Sequence, residues 1–265
     1  MIATLLIIDA MNLIRRIYAV QEKQYGETDA ALIATETTVC NALKKLLHMH
    51  QPTHVISVFD SHAPNWRHHL YPNYKQGRKP IPPLLKQDLG KIQDLFLAMG
   101  VESLLSESDE ADDLIATLAD KIAQKKQKCI IVSTDKGFYQ LLNSQIIIYD
   151  YFQHSYTDAI AVVNKMGLSA KQLCDYWAIT GISSSAIKGV EGIGSKGALA
   201  LMQQFNSLDN MLQQPADVKD KRLTKAVQSR EDALLARELV TLQKEITLGF
   251  NLQDLRYPAV SSGKT

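Results

Sequence analysis

The run Ser106-Glu107-Ser108-Asp109-Glu110-Ala111-Asp112-Asp113 places four acidic residues in the five positions from 109 to 113. Apolar residues follow at Ala111, Leu114, Ile115, Leu118, Ala119 and Ile122, a spacing that keeps one helical face apolar. The acids therefore stand in the first turn of an amphipathic helix. Two chemistries account for them. Carboxylates at a helix N-terminus are favoured by the backbone dipole, by roughly 0.3–1 kcal/mol each, and Ser108 can cap the turn. Alternatively, Glu110, Asp112 and Asp113 crowd like charge on one side, which repels itself unless a cation is shared. On this stretch alone a capped helix end and a metal site both stay open.

The elements that would gather further acids come from the rest of the chain. Thr4–Asp9, Thr53–Asp60 and Cys129–Asp135 are β-rich apolar runs, each closing on an aspartate. Helical periodicity over about 12–20, 29–49, 84–99 and 111–122 separates them, with a short strand at Val101–Leu105 and a last one, at an edge, at Ile146–Phe152. Strands alternating with helices predict an α/β fold with a parallel sheet flanked by helices, a PIN-like arrangement, whose ligand crevice lies outside the carboxyl ends of the strands. Asp9, Asp60 and Asp135 would meet Glu110, Asp112 and Asp113 there. Oxygen ligands of this kind suit magnesium or manganese rather than zinc, and metal-assisted phosphodiester hydrolysis is the chemistry such a site performs.

Residues 61–87 differ in character. They hold Arg67, Lys75, Arg78, Lys79 and Lys86, with His62, His68 and His69, and no acid. Trp66, Tyr71 and Tyr74 are interleaved, and prolines at 64, 72, 80, 82 and 83 predict an irregular surface excursion. A solvated loop accounts for this; so does a surface that follows phosphates and stacks on bases.

From about residue 156 the chain reads as helical. Its centre is Gly189-Val-Glu-Gly192-Ile-Gly194-Ser-Lys196-Gly197. Gly192, Gly194 and Gly197 satisfy GxGxxG, but no strand precedes them, and Lys196 is one position late for a P-loop. A helix-hairpin-helix remains, its first helix at Leu173–Thr180, with free amides at Gly192, Gly194 and Lys196 available to a phosphate. Helices near 207–213 and 230–246 support it, and residues 257–265 are expected to fray. The domains expected are 1–155, including the basic region 61–87, then 156–250, then a tail at 251–265.

Composition narrows the classes. With 265 residues, 46% hydrophobic and 22% charged, the chain suits a folded globular protein with a sizeable core. Three widely spaced cysteines argue against a disulfide framework, so a reducing, cytoplasmic setting is expected. No 18-residue apolar run exists to span a membrane. Nucleophile elbows are absent, and Asp9-Ala-Met-Asn12 lacks the second aspartate of a phosphoaspartyl phosphatase.

Taken in order, Asp9 with Arg16 and Tyr18, Val58-Phe59-Asp60, Arg67 with Tyr74-Lys75 and Arg78, Glu110-Ala-Asp-Asp113, Ser133-Thr-Asp135-Lys136-Gly137 and the glycine hairpin resemble the flap endonuclease and 5′-nuclease family. The resemblance covers roughly residues 4–250 and fits short, stand-alone bacterial members of the exonuclease IX type. It implies a monomer that cuts 5′-flapped DNA near the junction of single strand and duplex. Asp9, Asp60, Glu110, Asp112, Asp113 and Asp135 would hold a divalent metal, with Lys75 and Arg78 near the scissile phosphate. It further implies that 61–87 forms an arch over a 5′ single strand. DNA contacts would come from Arg16, Tyr18, Arg67, Tyr74 and the hairpin residues Gly192, Ile193, Gly194, Ser195, Lys196 and Gly197. Carbonyls of about Ile179, Thr180, Lys188, Val190 and Ile193 would hold a potassium ion. Where the family usually has three acids of a second metal site, this chain has Gly137, Ile182 and Ser185. A junction-binding protein with little or no catalysis is therefore the alternative.

Overall fold

The computed structural model describes residues 3–61, 63–106, 108–215 and 220–257; His62, Glu107 and the tail from 258 onward lie outside them. Strand β1 (Thr4–Asp9) passes directly into helix α1 (Ala10–Tyr25), because Asp9 caps that helix by accepting from the Asn12 amide at 3.2 Å. Helix α2 (Asp29–His50) returns to β2 (His54–Phe59). A crossing segment holding the short helix α3 (Trp66–Leu70) leads to α4 (Pro83–Ala98), which starts on proline where an amide is not needed. Next come β3 (Glu102–Leu105), α5 (Ala111–Gln124), β4 (Lys128–Val132), β5 (Ile146–Asp150) and β6 (Ser155–Thr157).

The sheet order is β3-β2-β1-β4-β5-β6, parallel throughout except for β6. Central β1 is apolar on both sides because it is buried on both: Leu5 and Ile7 face one core, Leu6 and Ile8 the other. Each is at most 1% exposed, and burial of such a side chain contributes roughly 1.5–3 kcal/mol. Helices α1, α2 and α4 cover the second face, and α5 covers the first.

The first core continues into a helical unit made of α6 (Ala159–Met166), α7 (Leu173–Thr180), α8 (Ser195–Phe205), α9 (Leu208–Leu212), α10 (Lys221–Gln228) and α11 (Arg230–Val240). Three expectations change here. The strand at 146 is not an edge, because β6 pairs antiparallel outside it. Helix α11 stops at Val240 rather than 246, since the next residues run extended along α5: the Gln243 amide donates to Asp113 at 2.9 Å, and Lys121 donates to the Ile246 carbonyl at 3.2 Å. Tyr257, expected to fray, is held by its amide on the Thr53 carbonyl at 2.9 Å.

Candidate active site

The carboxyl ends of β2, β1 and β4 open on a cleft of about 800 Å³. Asp9, Asp60 and Asp135 reach it from strand ends, and Asp112 reaches it from the first turn of α5. Ser108 does not cap that helix. Glu110 takes the cap position without a side-chain cap bond, while the Ser108 hydroxyl turns to Asp109 at 2.9 Å.

One hydroxyl organises two of the aspartates. Ser133 donates to Asp9 Oδ2 at 2.7 Å and accepts from the Asp135 amide at 3.0 Å. Burial raises the Asp9 carboxyl to about 6 against the Ser133 and Asn12 bonds, with Asp135 and Asp60 adding like charge. Burial also pushes Asp112 well above its ordinary value; Lys75 opposes this, while Asp135, Glu110 and Asp9 add to it. In both, burial is the main cause and neighbouring carboxylates add to it.

Glu110 and Asp113 have different surroundings. Arg67 is 1% exposed and places all five N–H groups: Nη1 on Glu110 and on Asp113 Oδ2 at 2.6 Å, Nη2 on Asp113 Oδ1 at 2.8 Å and the Thr241 carbonyl at 3.0 Å, and Nε on the Leu239 carbonyl at 2.8 Å. Trp66 stacks its ring 4.3 Å from this guanidinium and donates Nε1 to Asp113 at 3.0 Å. With the Gln243 amide, each Asp113 oxygen then has two donors, and the residue is fully buried. Glu110 accepts from Arg67, Tyr74 and Lys75. Burial would raise it, but Lys75 and Arg67 prevail and hold it below the ordinary carboxylate value.

The six acids expected on one ion are thus divided, four on the cleft wall, Glu110 beneath Lys75, and Asp113 in the core. Among the described residues no three histidine, cysteine or acidic side chains are already grouped to hold one metal ion. The Lys75 ammonium stands 3.8 Å from Asp112 and compensates part of its charge.

Several expected DNA contacts are also buried. Tyr18 is 1% exposed, because its position on α1 falls among the apolar residues of the core that α1 and α2 share. Arg67 is consumed by Glu110 and Asp113, and Tyr74 is buried with its hydroxyl on Glu110. Arg16, Lys75 and Arg78 do line the cleft. Lys75 sits at a left-handed φ of 54°, and its amide donates to the Ser185 carbonyl at 2.8 Å, joining the crossing segment to the helical unit. Burial works to lower the Lys75 ammonium, yet Asp112 and Glu110 prevail and raise it.

Sequence reasoning missed Arg15, which lines the cleft and donates to the Lys79 and Pro80 carbonyls at 2.9 and 3.1 Å, tying α1 to the crossing segment. Its place beside Arg16 was the available signal.

Gly137, Ile182 and Ser185 face the same cleft. Behind them α7 turns into the glycine hairpin, closed by paired backbone bonds between Ile182 and Ile187. A Cβ at Gly181 would lie 2.5 Å from the Ile187 carbonyl, and one at Gly189 2.3 Å from the Ile179 carbonyl, so the two backbones touch only because both residues are glycine. Gly194 caps α8 in open space, with Ser195 and Lys196 exposed beside it. Gly192 is exposed as well, whereas Ile193 is buried and Gly197 packs against it. Of the five carbonyls expected around potassium, those of Ile179 and Val190 each accept one backbone amide, from Val190 at 2.8 Å and Ile193 at 3.2 Å.

An α/β sheet with an aspartate-lined carboxyl edge, joined to a helix-hairpin-helix unit across one cleft, is the class that the fold and site define. The chain belongs to the 5′-3′ exonuclease family: its N-terminal resolvase-like domain profile matches residues 4–167 and its C-terminal SAM fold profile residues 168–262. A relative from Psychromonas ingrahamii named Flap endonuclease Xni is 68% identical over 257 residues, covering 97% of this chain and 98% of its own length. One of the same name from Aeromonas salmonicida is 52% identical, covering 96% of each. The fold is similar to that of the T5 5′-exonuclease, with a TM-score of 0.73 at 19% identity over 90% of this chain and 87% of that one. It is equally similar to a bacteriophage T5 flap endonuclease in a pseudo-enzyme-product complex with DNA and metal ions, with a TM-score of 0.74 at 20% identity over 89% and 88%.

Proposed function

We propose that this protein is a magnesium-dependent, structure-specific nuclease that cuts 5′-flapped DNA near the junction of single strand and duplex. The observation that carries the reading is the meeting of Asp9, Asp60, Asp112 and Asp135 with Lys75 and Arg78 in one cleft. The names of the two relatives support the substrate class.

The donor set fits a hard divalent cation: the cleft acids are all carboxylates, and a bound cation would favour the ionised forms of the buried Asp9 and Asp112. Asp9, Asp60, Asp112 and Asp135 would hold it. Magnesium, or manganese in its place, supplies Lewis-acid activation of water and of the phosphoryl oxygen when bound. Lys75 and Arg78 place positive charge where the phosphate gains negative charge. Ser133 keeps Asp9 and Asp135 in register. Asp113 braces α5 through Arg67 and contributes no ligand. The hairpin offers its exposed residues Gly192, Gly194 and Ser195 and the Lys196 ammonium to duplex phosphates. Carbonyls around Ile179, Thr180, Lys188, Val190 and Ile193 hold potassium.

A second reading, a DNA junction-binding protein with little or no catalysis, is favoured by one observation: Gly137, Ile182 and Ser185 present no carboxylate to the cleft. A labelled flap substrate with magnesium separates the two. Wild type should cut and Asp112→Asn should bind without cutting. Binding by both with cutting by neither sinks the nuclease reading.

A further inference from the structure

The Arg67 guanidinium touches both halves of the molecule. Two of its five N–H groups go to carbonyls that end α11, Leu239 and Thr241; the other three go to Glu110 and Asp113 on α5. Glu110 in turn carries the ammonium of Lys75. A continuous polar chain therefore runs from the helical unit, through a buried cation, to the lysine in the cleft.

The middle of that chain is sheltered from water, while Thr241 at one end is exposed and Lys75 at the other is partly exposed. Arg67 is 1% exposed, and its two carboxylate partners are 4% and 0% exposed. A guanidinium held by five acceptors on two walls cannot follow a shift of one wall without lengthening its bonds to the other. No lysine could serve all these partners, because its ammonium has three donors at one point.

We infer that Arg67 is a positioning residue that couples duplex engagement by the helical unit to the placement of Lys75 in the cleft. The inference rests on the proposed nuclease function and on the hairpin as the duplex grip. It assigns Arg67 no contact with DNA. Movement of the α11 end on gripping a duplex would be transmitted through Leu239 and Thr241 to Arg67, then through Glu110 to Lys75.

The test compares kcat on a flap substrate with kcat on the same single strand lacking a duplex, for wild type and Arg67→Lys. Duplex affinity is measured separately by anisotropy in chelator. Wild type should cut the flap faster. Arg67→Lys should keep wild-type duplex affinity while kcat on the flap drops toward the single-strand value, by about a hundredfold where Lys75 is misplaced by about 1 Å.

A wild type that cuts neither substrate removes the nuclease reading itself. A wild type that cuts both equally, a variant with an unchanged flap-to-strand ratio, or one that loses duplex affinity in step with rate overturns the coupling and leaves Arg67 a brace. If Arg67→Lys does not fold, Trp66→Phe makes the same comparison, because it keeps a ring over the guanidinium and removes only the bond to Asp113. Its flap-to-strand ratio should fall with duplex affinity kept, and an unchanged ratio overturns the inference.

Discussion

Ser133 donates to Asp9 Oδ2 at 2.7 Å, across the seam between β4 and β1, and it is the strongest of the contacts that favour the ionised form of Asp9. Asp9 is nonetheless raised to about 6, chiefly by burial. An acid raised in the folded state binds its proton there when the unfolded chain has already lost it. Folding stability therefore declines as pH rises between about 4 and about 6, by about 3 kcal/mol in full. In chelator the melting temperature should fall over that window, and Asp9→Asn should lessen the fall, leaving the share that the raised Asp112 contributes. Ser133→Ala, lacking the bond that lowers Asp9, should carry the decline to higher pH. A wild-type profile flat from pH 4 to 7 would contradict this account.

Asp112 and Asp113 are neighbours with opposite surroundings, and their amides should separate. Asp113→Asn breaks a buried bidentate pair with Arg67 and should cost about 3–5 kcal/mol, read by urea unfolding. Its folded fraction should still bind manganese. Asp112→Asn relieves a raised carboxyl, so it should melt no lower than wild type in chelator, yet titrate no manganese. The reverse pattern would make Asp113 the ligand.

Gly181 and Gly189 should tolerate no side chain. Alanine at either meets backbone atoms at 2.6 Å or less, and Gly181 also holds φ at 70°. Each substitution should destabilise by more than about 1 kcal/mol and weaken duplex binding at a temperature where the protein is still folded. Gly90→Ala, in open space on α4 and away from the hairpin, is the control, and equal damage there would show that backbone contact is not the cause.

Potassium in place of sodium should tighten duplex binding in chelator, through carbonyls of the α7–α8 hairpin. Anisotropy at constant ionic strength measures it. Indifference to the exchange would remove the carbonyl site.

Much of this molecule is legible in local pattern. Runs such as Leu5–Ile8 are apolar because the strand is buried on both faces, and the aspartates that close them mark the cleft edge. The glycine hairpin is legible from Gly189 to Gly197, whereas the backbone contact that admits only glycine at 181 and 189 is a product of the fold. Helical periodicity runs on to 246, past the end of α11 at Val240, because it cannot show that the residues after 240 are drawn out along α5.

What the sequence alone determined was the kind of residue at each sheet edge and the order of elements that brings those edges together, because periodicity and strand ends are local properties of the chain. Which acid does what was decided only by tertiary structure. Asp112 and Asp113 are adjacent and chemically identical, but a helix turns each residue by about 100°, so one faces the cleft and the other meets a guanidinium brought from residue 67. The same packing withdrew Arg67, Tyr74 and Tyr18 from the surface expected to meet DNA. Charge in a sequence carries no record of whether its partner will be water, a ligand or another side chain.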